Sequence, residues 1–95
     1  MIVVWSDEAL DDLEALRTYI EQDDPVAAQR VAYRILEAVG SLLPTNPVMG
    51  RAGRVPGTRE LVVPRTPFVV PYRINGRVLQ ILRVYHGTRR WPEKF

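Results

Sequence analysis

The chain has 95 residues, 46% hydrophobic and 25% charged, with no cysteine and a single histidine. This describes one ordinary soluble domain over 1–95, without a disulfide framework, a thiolate zinc site or a His-rich metal site, so no metal or cofactor is expected. The formal net charge of +2 conceals an asymmetry: residues 1–48 carry nine acids and three bases, net −6, while residues 49–95 carry two acids and ten bases, net +8.

Ile2–Trp5 is β-branched and aromatic and reads as a strand. Its acidic sequel, Asp7 and Glu8, is unlike a signal peptide, and no apolar run approaches the ~18 residues of a membrane span, so a cytoplasmic location and no membrane partner are expected. Ser6 is placed to cap a helix whose first-turn acids complement the N-terminal dipole. Ala9, Leu13, Leu16 and Ile20 then form one apolar stripe at helical spacing. Asp24 and Pro25 end this helix and start another, with Asp24 as cap and Pro25 in the first turn. The second helix carries Ala28, Val31, Ala32, Ile35, Leu36, Val39, Leu42 and Leu43 and is expected to stop before Pro44. The two helices form a hairpin whose apolar stripes should be core.

Residues 44–58 are a Pro/Gly-rich connector, long enough to suggest function. Three apolar runs follow: Glu60–Val63, Phe68–Ile74 and Val78–Tyr85. Asn75-Gly76 between the last two predicts a two-residue type I′ turn. That register pairs Tyr72 with Leu79 and places Pro71 opposite Gln80 in a non-hydrogen-bonded pair, where its missing N–H does no harm. The element order is β-α-α-β-β-β, an α+β fold: an antiparallel sheet with a helical hairpin packed on one face.

Twelve of the thirteen bases are arginine, whose planar fork suits phosphate and carboxylate. The basic half points either to a polyanionic partner or to internal balance against the acidic half. A general nucleic-acid-binding module fits poorly. Both helices are acidic on their polar faces, and no strand carries a pair of stacking aromatics.

Several ordered segments carry a family resemblance. They are Trp5-Ser6 with Ala9, Asp12 and Leu13; Tyr19-Ile20; Pro25 with Ala27-Ala28; the run from Gly50 through Arg51, Arg54, Pro56, Gly57, Thr58, Arg59 and Glu60 to Val63; Val70–Arg73; and Ile81 through Arg83, Tyr85, His86, Arg89 and Arg90 to Pro92. The chain resembles toxins of the ParE/RelE superfamily from bacterial type II toxin–antitoxin modules, closer to ParE. The resemblance implies the same fold and a cognate antitoxin that neutralises the toxin in a hetero-oligomer. It implies two targets: DNA gyrase for ParE-like members, and mRNA on the ribosome for RelE-like endoribonucleases. The +8 half adds the expectation that the antitoxin binds through an acidic C-terminal segment.

Where the resemblance places the RelE cations, this chain has Glu60, Val62 and Val69, with Gly87 near the tail arginine; His86 is followed by Gly87 where related ribonucleases have His-Tyr. Cleavage through a 2′-hydroxyl needs a base, an acid and cations, so the gyrase-binding reading is preferred, with no catalytic residues. Its target-binding residues are Arg59, Arg83, Arg89, Arg90 and Trp91. The alternative ribonuclease rebuilds its site from Arg59, Arg65, Arg83 and His86, with His86 as acid or base. Against these roles stand structural ones: a hydrogen-bonded strand-end His86, Arg51 and Arg54 as solvated loop charges, Arg83 paired with an acid, and Trp91 packed on the sheet.

Overall fold

The computed structural model describes residues 1–95. In chain order it has β1 (Ile2–Trp5), α1 (Asp7–Glu21), α2 (Pro25–Glu37), a π-helical turn (Ala38–Leu42), α3 (Leu43–Thr45), β2 (Arg51–Ala52), β3 (Arg59–Val62), β4 (Phe68–Asn75), β5 (Val78–Ile81) and β6 (Tyr85–His86). The strands form one sheet in the order β1-β5-β4-β3-β2, with β6 also on β4. The α+β layering is as expected, but the sheet is mixed: β1 runs parallel to β5, Ile2 beside Val78 and Trp5 beside Ile81. No helix is long and apolar enough to cross a membrane.

Both helix starts are capped as their sequences dictate. Ala9 N–H donates to Ser6 Oγ (3.0 Å) and Ala27 N–H to Asp24 Oδ1 (3.0 Å). The second helix does not stop before Pro44. The backbone widens so that Leu43 N–H reaches the Ala38 carbonyl, and Pro44 enters the first turn of α3, where its missing N–H is tolerated. The wider turn also shifts the helical phase. Leu43 is fully buried, and Leu42, expected in the core, is exposed.

The core lies between the hairpin and one face of the sheet. Ala9, Ile35, Ala38, Val39 and Leu43 meet Leu61, Val63, Phe68, Val70, Tyr72, Leu79, Ile81 and Val84. Leu13, Leu16, Ile20 and Val31 pack at its rim, only half-buried. The opposite face carries Glu60, Val62, Val69, Pro71 and Tyr85, because Glu60 pairs with Pro71, and Val69 pairs with both Val62 and Tyr85.

The β4–β5 register differs from expectation by two residues. Asn75 pairs with Val78 and Tyr72 with Ile81, so the turn is Gly76-Arg77. Gly76 alone takes a positive φ there (62°), the pattern of a type II′ turn, which spares Asn75 a left-handed conformation. A two-residue slip leaves every side chain on its original face, so the core alternation survives. Pro71 now stands opposite Leu82, which donates its N–H to the Pro71 carbonyl (3.0 Å). Proline returns no donor, and the Leu82 carbonyl instead accepts the Ser6 hydroxyl (2.8 Å). The expected run to Tyr85 therefore breaks after Ile81, and pairing resumes at β6, Phe68 with His86.

The connector is clamped to the sheet rather than free. Tyr72 Oη donates to the Pro47 carbonyl (2.7 Å) and accepts Gly50 N–H (3.0 Å). A Cβ on Gly50 would lie 2.6 Å from that hydroxyl, so the close approach requires glycine. β2 then pairs Arg51 with Glu60 and Ala52 with Arg59.

Candidate functional site

Where β5 gives way to β6, Arg83 is fixed by α1. Its Nε and Nη2 donate to the two Asp12 carboxylate oxygens (2.7 and 2.9 Å), and Val84 N–H adds a third bond to Asp12 (3.0 Å). The bidentate bond to Asp12 raises the Arg83 pKa further and keeps the guanidinium charged. Arg83 therefore makes the ion pair with an acid that its alternation along the strand allowed.

On the face of the sheet away from the helices, the C-terminal tail packs over Tyr85. Tyr85 is buried there, its ring centroid 4.7 Å from the Arg83 guanidinium carbon and 4.2 Å from that of Arg89. Trp91 meets Tyr85 edge-on at 5.2 Å, and Phe95 lies against Tyr85 at 6.3 Å. Arg83, Arg89, Arg90 and Trp91 line one open depression of about 500 Å³, together with Lys94 and Tyr85. Arg59 is not among them. On β3 its Nη1 donates to the Val48 and Gly50 carbonyls (3.3 and 3.1 Å), and it lines a separate depression with Gly57 and Thr58.

The four residues of the alternative ribonuclease site are dispersed. Arg65 occupies the β3–β4 turn at φ 61°, with its carbonyl accepting from Arg34 Nη1 (3.2 Å). His86 is exposed on the edge of a different groove of about 540 Å³, lined by Leu16, Tyr19, Ile20, Phe68 and Arg89 among others. Its ring stands edge-on to Phe68 at 5.7 Å, and its Nδ1 lies 2.7 Å from Thr88 Oγ1. Of the quartet, only His86 lines that groove.

Of the positions where the resemblance would place catalytic cations, Val62 is exposed and Val69 buried, and Glu60 anchors an ion network. The Glu60 side chain is wholly enclosed. Its Oε1 accepts Arg51 Nε and Nη2 (3.2 and 3.1 Å), and its Oε2 accepts the Arg54 backbone N–H (2.7 Å). Arg54 Nε approaches Oε1 at 3.5 Å. Arg51 and Arg54, expected as solvated loop charges, thus hold a buried acid. The signal for this was present but unread: Glu60 is one of two acids in the basic half and sits inside a strand, where an isolated charge requires partners.

The comparisons with known proteins agree with this fold. The family model described as the ParE toxin of the type II toxin–antitoxin system parDE matches residues 3–91. Y4kP of Sinorhizobium fredii is 46% identical over 94% of this chain and 91% of its own. The toxin RelE2 of Caulobacter vibrioides is 40% identical over 92% of this chain and 96% of its own. Among solved structures, the chromosomal ParDE system from P. aeruginosa superposes with a TM-score of 0.82 at 34% identity, covering 90% of this chain and 95% of that one. The RelBE2 toxin–antitoxin complex of Mycobacterium tuberculosis gives 0.66 at 26% identity, with the same coverage. With its fold, its length and nearly all of its sequence in register with these toxins, the chain belongs to the ParE toxin family of type II toxin–antitoxin systems.

Proposed function

We propose that this toxin acts by binding DNA gyrase through the tail surface formed by Arg83, Arg89, Arg90 and Trp91, without a catalytic site of its own. One observation carries the reading: these four residues share a single open depression, whereas Arg59, Arg65, Arg83 and His86 do not converge on any cavity. A phosphodiester-cleaving centre needs its cations and its acid or base within reach of one scissile bond. A protein target needs only a contiguous surface, rich in arginine and aromatic anchors. Arg59, which lines a separate depression, leaves the target-binding set in this reading.

A cognate antitoxin neutralises the toxin by laying an acidic, amphipathic segment along the groove between α1 and β6. Leu16, Tyr19, Ile20 and Phe68 offer its apolar side a floor, and Arg89 meets its acids at the rim. Arg89 also lines the tail depression, so an antitoxin seated here covers part of the target-binding surface.

Brief expression of the toxin tests the target. SOS induction and DNA breaks are expected, without cleavage of translated mRNA. Truncation before Arg89 should abolish toxicity, and single alanine changes at Arg89, Arg90 or Trp91 should each weaken target binding by about 1–2 kcal/mol. His86→Ala should be mild. A His86→Ala variant that is folded, antitoxin-bound and wholly non-toxic would overturn the binding reading in favour of the RelE-like ribonuclease, where losing a general acid or base costs about 10²–10⁴-fold in rate.

A further inference from the structure

The tail is held in an unusual way. Gly87 N–H reaches the Pro67 carbonyl (2.8 Å) and Arg89 N–H the His86 carbonyl (3.0 Å), but no main-chain hydrogen bond holds residues 90–95. Trp91 Nε1 is buried with no hydrogen-bond partner, so its ring is kept in place by its faces and edges alone. Its aromatic partner is Tyr85. Its cation partner is Arg54, whose guanidinium carbon lies 4.0 Å from the Trp91 ring centroid.

Arg54 is half-exposed and sits in a connector without regular structure at that point, so its own placement needs a cause. Glu60 supplies it twice. One carboxylate oxygen takes the Arg54 backbone N–H (2.7 Å), and the other draws its Nε (3.5 Å). Glu60 is itself enclosed on a strand paired on both sides, opposite Arg51 on β2 and Pro71 on β4. It lies on the same face of the sheet as Tyr85.

We propose that Glu60, Arg54 and Trp91 form a latch: the buried carboxylate positions Arg54, and Arg54 clamps Trp91 and the basic tail onto the sheet. Glu60 is thus a positioning residue for the surface that Arg89 and Arg90 present. The consequence for target recognition rests on the function proposed above; the latch itself does not. Arg51 shares the carboxylate, but the guanidinium over the Trp91 ring is that of Arg54, so Arg51 stabilises β2 without forming part of the latch.

The test uses the full chain carrying Trp5→Phe, which leaves Trp91 as its sole tryptophan. Tail docking is read by Trp91 emission and by the rate of tryptic cleavage after Arg89 and Arg90. Arg54→Ala should shift the emission to the red and speed cleavage about three- to tenfold, the range an arginine–tryptophan contact supports. Amide exchange in β3 and β4 should stay at the parental rate. Glu60→Gln should reproduce both tail signals, and Arg51→Ala should reproduce neither. Parental emission and cleavage in Arg54→Ala would overturn the latch, as would a folded Glu60→Gln protein with a docked tail; should Glu60→Gln not fold, Arg54→Ala decides alone. Gyrase binding is measured separately on the wild-type chain. A docked tail with no gyrase affinity sinks the target and leaves the latch standing.

Discussion

Tyr72 shows how much one side chain can organise. Its ring is core, and its hydroxyl is the fastening point of the connector through Pro47 and Gly50. Tyr72→Phe should leave both main-chain groups unpaired and cost about 1–3 kcal/mol in urea unfolding near neutral pH. Burial raises the Tyr72 pKa above its ordinary 10.0, opposed by the Gly50 hydrogen bond and the Arg59 charge. The unfolded chain then ionises first as pH rises, so this stability is present below about pH 10 and is lost as pH climbs through the folded value. Unfolding free energy should fall faster above pH 10.0 in the wild type than in Tyr72→Phe; parallel curves would show that another group titrates. Arg83 illustrates the limit of local reading. Its strand position allowed an ion pair, but the partner Asp12 is 71 residues away in sequence, and only the fold selects it from the nine acids of the first half.

Among the elements, the start of α1 and the end of β5 depend on one another. Ser6 caps the helix and also satisfies the Leu82 carbonyl that Pro71 leaves without a donor. Ser6→Ala removes both bonds and should cost about 1–3 kcal/mol, more than an isolated cap. Serine was legible as a cap because capping is local; its second bond depends on β1 lying beside β5. The helical hairpin was equally legible from its spacing, but burial along the stripe is uneven. Ile35→Ala, at a fully buried position, should cost about 2–5 kcal/mol by cavity formation. Leu13→Ala, at the half-buried rim, should cost about 1 kcal/mol, since only part of its transfer free energy is at stake. Denaturant unfolding of the two variants side by side checks that order.

Across the whole molecule, the charge asymmetry acquires a geometry. The acids of α1 lie mostly off its apolar stripe, apart from Asp12, which turns inward to Arg83, and the basic excess gathers on the connector, the outer face and the tail. An antitoxin that uses both the groove and this basic surface should respond to two perturbations separately. Raising salt should slow its association, because exposed charges steer encounter and are screened. Tyr19→Ala should instead speed dissociation, by about 1–2 kcal/mol of lost contact, without loss of stability, because Tyr19 is 73% exposed. Stopped-flow or surface-binding kinetics with the cognate antitoxin distinguish the two. An association rate indifferent to salt would remove the electrostatic part of the model.

The sequence by itself determined what depends on neighbours along the chain: two capped amphipathic helices, the strand runs, a glycine at the hairpin turn and an α+β layering. These follow from propensity, periodicity and capping, which act within a few residues. Only the tertiary structure decided what depends on closure between distant segments. It placed β1 parallel to β5, slid the β4–β5 register by two residues, let the helix pass Pro44 by widening, and broke the last strand opposite Pro71. It also separated the arginines that composition treated alike, sending Arg59 to the connector, Arg83 to Asp12, Arg54 to Glu60 and Trp91, and Arg89 onto Tyr85. An arginine's partner is set by which acid, carbonyl or ring lies within a few ångströms, and that distance exists only once the sheet has closed.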